Sequence, residues 1–241
     1  AQQVRIGIIV EVVAFERIAA AWRSLGYPFE QLVPSLATAI GSSADRPAAL
    51  AELMGIVVND GIRRPTVRIK QLHFAADTPF DTVLERRIEK GERVLPGEVT
   101  QVARRALQRV VDNGTARRVK GIYRDAEGKP FVVGGKTGTG DHRFQVVGAD
   151  GAVKSSRVMN RAATFAFYIG DRFYGVATAF VPGGKAAAYE FTSALPVQIV
   201  KELEFALLPL ISGIEAKPGR CSETAGNDSS AAPSKSGKTS L

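Results

Sequence analysis

Apolar side chains recur at helical spacing in four parts of the chain. The clearest is 97–113, where seven apolar side chains share one stripe of a helix. The stripe consists of Val99, Val102, Ala103, Ala106, Leu107, Val110 and Val111. It predicts an amphipathic helix that faces a core and ends at Asn113-Gly114. The same spacing predicts three further helices, over 11–25, 47–60 and 193–211.

Alternating patterns and short apolar runs predict the strands. Residues 66–74 alternate polar and apolar side chains, so we expect a half-buried strand there. Residues 131–139 begin apolar and continue into small, glycine-rich backbone, which also predicts a strand. Two apolar runs, 162–169 and 173–181, are separated by Gly-Asp-Arg, a strong hairpin signal. Residues 140–160 are polar, and we expect them to be irregular.

The order of these elements indicates the fold class. Two helices come first, then a strand, a helix and three strands, and a helix closes the series. This order favours an α+β fold in which helices flank a mostly antiparallel sheet. We expect residues 1–211 to be folded. Residues 212–241 are rich in Ser, Gly, Ala, Pro and Lys, and we expect them to form a disordered tail.

Composition excludes several classes of site. With 45% hydrophobic residues, the 241-residue chain can bury a core. Cys221 is the single cysteine, and His73 and His142 are the two histidines, so we expect neither disulfides nor a metal site. We also expect no cofactor. These residues contain no apolar run long enough for a transmembrane helix and no visible signal peptide.

The net charge of +8 is confined to the middle of the chain. Residues 100–172 carry 14 basic and 6 acidic side chains, whereas the segments on either side are neutral. No dense basic tract and no nucleic-acid-binding motif accompanies this excess, so we do not expect a nucleic-acid partner. A positive neighbourhood around a site for a small anion, such as a carboxylate, fits the distribution equally well.

The richest chemistry lies in Lys136-Thr137-Gly138-Thr139, which follows two further glycines. Residues two apart on a strand point the same way, so Thr137 and Thr139 present their hydroxyls on one face. Gly138 removes the side chain between them and lets a ligand backbone lie close, while Lys136 supplies a cation. Such a strand edge can bind an extended peptide and its terminal carboxylate together. In isolation, four such residues are also compatible with a polar, glycine-rich turn.

This motif resembles the K-T-G strand of penicillin-binding proteins and serine β-lactamases. Other stretches resemble the same family in the same order along the chain. They are Pro34-Ser35-Leu36-Ala37, Leu50-Ala51-Glu52-Leu53, Asn59-Asp60-Gly61, the helix that ends in Asn113-Gly114-Thr115-Ala116, the 162–181 hairpin and Ser193-Ala194-Leu195-Pro196-Val197. The chain is therefore similar to the transpeptidase domain of a class A, bifunctional penicillin-binding protein. The implied fold is the penicillin-binding protein transpeptidase and β-lactamase fold, present as a partial domain.

Two motifs of that family are not found in this sequence. No serine is followed three positions later by lysine, and neither S-x-N nor Y-x-N occurs. Both motifs lie upstream of K-T-G in the family. We therefore expect residues 1–211 to be the C-terminal portion of a transpeptidase domain, with the nucleophile, a glycosyltransferase domain and a membrane anchor upstream. A degenerate relative that has lost the motifs is the alternative.

The resemblance implies a role for each residue of the motif. Lys136 would take part in catalysis by activating the hydroxyl network and attracting the substrate carboxylate. Thr137 and Thr139 would hydrogen-bond that carboxylate, Gly138 would give the ligand room, and the Thr139 N–H would form half of an oxyanion hole. The implied partners are peptidoglycan stem peptides and β-lactams, at the periplasmic face of the bacterial inner membrane. Without the serine, we expect this chain alone neither to be acylated nor to transpeptidate.

Other readings make different predictions. A non-catalytic peptide-binding or scaffold relative of the same fold would have a native chain of this size. A serine β-lactamase is disfavoured because no deacylating carboxylate motif is found. A nucleic-acid binder would lose affinity steeply with salt. If an upstream half normally covers this region, apolar faces such as that of the 97–113 helix are partly uncovered, and the isolated chain should be prone to aggregation.

Overall fold

The central element of the structure is a three-stranded antiparallel sheet. The computed structural model describes residues 2–25, 36, 38, 46–87, 89–148 and 152–212. The sheet consists of β5 (Val133–Val147), β6 (Val153–Ile169) and β7 (Phe173–Pro182), in that spatial order. The predicted hairpin over 162–181 is confirmed as the β6–β7 pair. Its turn contains Gly170 at φ 61°, a left-handed conformation that favours glycine.

The segment 140–160 is not irregular, contrary to expectation. β5 and β6 remain paired from Val133↔Ile169 to Val147↔Val153, with register shifts after His142 and after Val146. Both faces of this distal part are largely exposed. Its residues therefore lack the polar–apolar alternation by which a half-buried strand is predicted, although pairing still satisfies their backbone hydrogen bonds.

Two small two-stranded sheets lie between the second and third helices. Strand β1 (Ile62–Arg63) pairs with β4 (Glu92–Arg93), and β2 (Gln71–Phe74) pairs with β3 (Thr82–Glu85). The half-buried strand expected over 66–74 is therefore shorter, and all four of its residues are exposed. Alternation predicts burial only when another layer covers one face of the strand, and this isolated hairpin has both faces open.

The described part of the chain contains five α-helices, of which the second, third and fourth contact the central sheet. They are α1 (Gln2–Ser24), α2 (Pro47–Val58), α3 (Gly97–Asp112), α4 (Ala194–Glu202) and α5 (Glu204–Ser212), with short 3₁₀ turns at Arg117–Val119 and Gly184–Ala188. The predicted helices over 11–25, 47–60 and 97–113 are confirmed, and α1 begins earlier than expected. None of these helices is long and apolar enough to cross a membrane. Apart from Ser212, the predicted tail lies outside the described residues.

The single helix expected over 193–211 is broken at Leu203. A continuous helix would pair the Val200 carbonyl with the Glu204 N–H. Instead, the buried Tyr123 hydroxyl donates to that carbonyl at 2.5 Å. Leu203 at the break is 40% exposed, whereas Val197 and Val200 are buried. The Tyr123 hydroxyl thus supplies a partner to a carbonyl at the point where the helix is interrupted.

The two faces of the sheet pack on different partners. On one face, Phe165 and Phe167 join a core with Val119, Tyr123 and residues of α4. On the other face, Tyr168 packs with Met54 and Val58 of α2, and Leu107 of α3 and Ala166 adjoin this cluster. Helices therefore flank an antiparallel sheet, and the expected α+β fold class is confirmed.

The third helix turns only part of the expected stripe inward, since Leu107 and Val110 pack against the core clusters as expected. Thr100 and Val111 are buried, whereas Val99 and Val102 are 50% and 63% exposed. Exposed apolar side chains also follow α1: Ile6, Ile9, Val10, Val12, Val13 and Ile18. Partly uncovered apolar faces were expected and are present. Aggregation of the isolated chain remains a prediction.

Candidate functional site

The K-T-G-T motif lies on the edge strand of the central sheet. Its residues pair on one side with β6, in the register Lys136↔Ala166 to Thr139↔Ala163. No other strand among the described residues pairs with the opposite side of β5. An edge of this kind can accept an extended peptide by adding it as a further strand. The predicted strand over 131–139 is confirmed, although it begins at Val133.

The motif presents different chemistry on the two sides of this edge. Because side chains alternate along a strand, Thr137 and Thr139 share the face of Phe165, and Lys136 and Gly138 share the opposite face. The exposed Lys136 donates from Nζ to the carbonyl of Thr137 at 2.6 Å. A ligand along the edge would therefore lie between an ammonium group and two hydroxyls.

The hydroxyl of Thr137 already has a partner inside the protein. Thr137 is only 7% exposed, and its Oγ1 lies 2.6 Å from Oγ1 of Thr115 in the loop after α3. A hydroxyl donates one hydrogen bond and can accept two. If Thr115 is the donor, the Thr137 proton is free to point toward the edge. The resemblance to the family's G-T-A helix end marks Thr115, but its contact with Thr137 was not predicted.

Thr139 and Gly138 form the open part of the site. Thr139 is exposed, and its Oγ1 accepts a hydrogen bond from the N–H of Ser193 at 2.8 Å. A Cβ built on Gly138 would meet no atom within 4 Å. The space expected beside Gly138 is therefore present and accessible to a ligand.

The two preceding glycines serve packing rather than ligand access. A Cβ on Gly134 would overlap the ring of Tyr168, and one on Gly135 would lie 2.5 Å from Cε2 of Phe165. The space beside these glycines is therefore filled by the protein's own aromatic rings. They allow the sheet core to pack directly under β5.

Tyr168 is fixed beneath the start of β5. Its hydroxyl donates to the Arg104 carbonyl at 3.0 Å, and the Arg104 guanidinium lies 5.2 Å from its ring centroid. Arg104 also donates to Asp171 at 2.7 Å. Burial raises the pKa of Tyr168, so this hydroxyl remains a neutral hydrogen-bond donor that supports the strand.

Sequence reasoning missed an ion pair at the end of the motif. Asp141 lies directly across from Arg161 on β6, and Arg161 NH1 donates to Asp141 Oδ1 at 2.9 Å. Arg161 also donates from Nε to the Phe191 carbonyl at 2.9 Å. Asp141 is two residues beyond Thr139 and so shares its face. Only the extended pairing of β5 and β6 brings Arg161 beside it, so the sequence pattern alone gave no signal.

Two other groups near the motif are placed less centrally. His142 lies in β5 rather than in a loop, and its Nδ1 contacts the Asn160 amide oxygen. Arg118 donates to Gln198 on α4 at 3.3 Å. Within the described residues there is no cluster of three potential metal-ligating side chains.

Known structures share this arrangement of strands and helices. Penicillin-binding protein 3 of Mycobacterium tuberculosis in complex with aztreonam matches with a TM-score of 0.53 at 18% identity, over 83% of this chain and 47% of that protein. The chain has the transpeptidase fold of penicillin-binding proteins. Penicillin-binding protein 1A of Haemophilus influenzae matches with a TM-score of 0.51 at 19% identity, over 83% of this chain and 32% of that protein.

A sequence relative of the same class supports the similarity. Penicillin-binding protein 1B of Escherichia coli K12 is 26% identical over 137 residues, which are 56% of this chain and 15% of that protein. A scan against models of known families finds no match. The chain thus spans less than half the length of each of these penicillin-binding proteins.

Proposed function

We propose that this chain is the C-terminal portion of a peptidoglycan D,D-transpeptidase domain, which crosslinks stem peptides by acyl transfer through a serine upstream of these residues. The observation that carries the proposal is the placement of K-T-G-T on the free edge of β5, in a penicillin-binding protein transpeptidase fold. Edge backbone, an ammonium group and hydroxyl donors along the edge are the groups that recognise an extended peptide with a free carboxylate.

Each group of the motif has a separate task in this proposal. The Thr139 hydroxyl donates a hydrogen bond to the substrate carboxylate, and the Thr137 hydroxyl does the same when Thr115 donates to it. Lys136 attracts the carboxylate and polarises the hydroxyl network around the serine. The Thr139 N–H supplies one donor of the oxyanion hole, which is worth several kcal/mol in acyl transfer. The remaining space beside Gly138 admits the peptide backbone.

The proposal extends to partners and location. β-Lactams with a carboxylate should occupy the same edge as the stem peptide. The mycobacterial relative was solved in complex with aztreonam and with ampicillin, in keeping with this expectation. We further propose that an upstream segment anchors the polypeptide at the periplasmic face of the inner membrane, where a glycosyltransferase domain would precede the transpeptidase domain.

Labelling with a fluorescent penicillin tests the proposal. Membranes of the source cell are labelled, separated on a gel and probed in parallel with an antibody to this chain. We expect one band well above 25.7 kDa, the mass of this chain, that carries both signals and loses the label when unlabelled ampicillin competes. An unlabelled antibody band near 25.7 kDa would contradict the proposal and favour a non-catalytic scaffold of the same fold.

A further inference from the structure

A chain of polar contacts runs from β6 to the exposed hydroxyl of the motif. Arg161 donates from NH1 to Asp141 at 2.9 Å and from Nε to the Phe191 carbonyl at 2.9 Å. Two residues after Phe191, the Ser193 N–H donates to Oγ1 of Thr139 at 2.8 Å. Arg161 thus connects the sheet to the loop that reaches Thr139.

Low exposure and several contacts restrict the orientation of the Arg161 side chain. Its side chain is 18% exposed and that of Asp141 is 26% exposed, so solvent screens this pair less than an ordinary surface pair. The guanidinium also lies 5.5 Å from the ring centroid of Phe191. A planar guanidinium holds its donors in a fixed arrangement. Hydrogen bonding to Phe191 and stacking on its ring therefore hold the start of the Phe191–Ser193 loop.

The bond from Ser193 controls what the Thr139 hydroxyl can do. A backbone N–H only donates, so Oγ1 of Thr139 must accept in this contact. The hydroxyl proton cannot point toward Ser193 and is directed to another partner. Thr139 is exposed and borders the open space beside Gly138. An incoming acceptor on that side would meet a hydroxyl already oriented as a donor.

We propose that Arg161 and Asp141 are positioning residues for carboxylate recognition by Thr139. They hold the Phe191 carbonyl, the loop then places the Ser193 N–H on Thr139, and the Thr139 hydroxyl donates outward to the terminal carboxylate of a peptide ligand. The inference deepens the proposed function and rests on it for the identity of the ligand as a peptide acid.

If Asp141 acted only through its charge, Asp141→Ala would change ligand affinity in the direction opposite to that expected for a positioning residue. Replacing Asp141 with alanine removes a negative charge close to the site, so Coulomb attraction alone would strengthen the binding of an anion. If Asp141 acts by holding Arg161, the same variant weakens binding. The sign of the change in Asp141→Ala therefore separates positioning from through-space charge.

Hydrogen exchange tests the structural step. In the native polypeptide that contains these residues, exchange of the Ser193 amide is measured by mass spectrometry on peptides that span residues 189–195. We expect faster exchange in Arg161→Gln and in Asp141→Ala. Arg157→Gln is the matched control, because Arg157 lies on the same strand but stacks on Phe144, 5.2 Å from that ring centroid. Unchanged exchange in both test variants would overturn the inference.

Ligand binding tests the functional step without any acylation. Saturation-transfer NMR measures the affinity of acetyl-D-alanyl-D-alanine and of its C-terminal amide for the same polypeptides. We expect Arg161→Gln and Asp141→Ala to weaken the acid by about 5-fold, the loss typical of one misdirected hydrogen bond. Binding of the amide should not change. In a Thr139→Val background, Arg161→Gln should have no further effect on the acid.

The possible outcomes are distinct. Failure of the acid to bind the wild type, tighter acid binding in Asp141→Ala, or equal losses for acid and amide would each overturn the positioning role. Labelling by fluorescent penicillin reports on the proposed function separately. An unlabelled polypeptide that still shows the acid-specific losses would refute transpeptidation and support the inference. A labelled polypeptide without those losses would refute only the inference.

Discussion

Two glycines on the same face of β5 should respond in opposite ways to the same substitution. A Cβ on Gly134 would lie 2.5 Å from Cζ of Tyr168, well inside van der Waals contact. Tyr168 is 1% exposed and its hydroxyl is bonded to the Arg104 carbonyl, so the ring cannot move away without breaking other contacts. A Cβ on Gly138 would meet nothing within 4 Å. Neither glycine has a positive φ, so alanine brings no backbone strain to either position.

The expected magnitudes follow from these environments. Gly134→Ala overpacks a rigid site, which costs about 1–3 kcal/mol of unfolding free energy. For a region of this size, that loss lowers Tm by roughly 2–12 °C. Gly138→Ala should leave stability unchanged or raise it by up to ~1 kcal/mol, because alanine has less conformational entropy to lose than glycine. Its methyl group should instead weaken the binding of acetyl-D-alanyl-D-alanine roughly tenfold by occupying the ligand's space.

Pulse proteolysis in increasing urea measures the stability of this region within the native polypeptide, with peptides of β5 and β6 as the readout. Saturation-transfer NMR measures the binding of the acid dipeptide. The reasoning would be refuted if Gly134→Ala were as stable as the wild type. It would also be refuted if Gly138→Ala lost as much stability as Gly134→Ala, or if it bound the dipeptide as tightly as the wild type.

Three further predictions concern the core, the cation and the exposed helix face. Burial, and secondarily the charge of Glu204, raises the pKa of Tyr123 from 10.0 to about 12. The stability from its neutral hydroxyl is fully present below pH 10 and is lost as pH rises through 12. In urea titrations at each pH, Tyr123→Phe should make this alkaline loss smaller but not abolish it, because burial also raises the pKa of Tyr168; at neutral pH the substitution should cost about 1–3 kcal/mol. Lys136→Met should reduce the rate of fluorescent penicillin labelling by at least about tenfold through loss of the cation at the carboxylate, and a rate equal to wild type would contradict its role. The Val102 side chain is 63% exposed. Val102→Lys on the isolated chain should therefore lower the binding of a hydrophobic dye while changing the free energy of unfolding by less than about 0.5 kcal/mol. Undiminished dye binding would show that another surface is responsible.

The site divides into residues that a motif identifies and residues that it does not. The spacing of Thr137 and Thr139 predicts their shared face, and the structure places them there, but their roles toward a ligand remain a prediction. Thr115 and Ser193 lie in stretches that resemble the family, yet their contacts with the two threonines depend on where separate loops arrive. Arg161 and Asp141 carry no motif, since an arginine and an aspartate 20 residues apart have no fixed relation until a hairpin pairs them.

The helices and strands also divide into those that local sequence patterns predict and those that they do not. Helical spacing was sufficient for α2 and α3, because an amphipathic stripe and a terminal glycine are local signals. It failed at Leu203, where the helix is interrupted and the distant Tyr123 hydroxyl donates to the Val200 carbonyl. Alternation was also insufficient for 140–147 and 153–160, which pair as strands although both faces are largely exposed.

The sequence by itself determined the fold class, the main helices, the β6–β7 hairpin and the chemistry available in K-T-G-T, because propensity, periodicity and side-chain chemistry act over short distances. The tertiary structure alone decided how much of the apolar stripe of α3 is covered, which glycines of β5 serve packing and which leave space for a ligand, and which groups hold the two threonine hydroxyls. These properties depend on contacts between segments that lie far apart along the chain, and such contacts exist only after the sheet and its helices have packed.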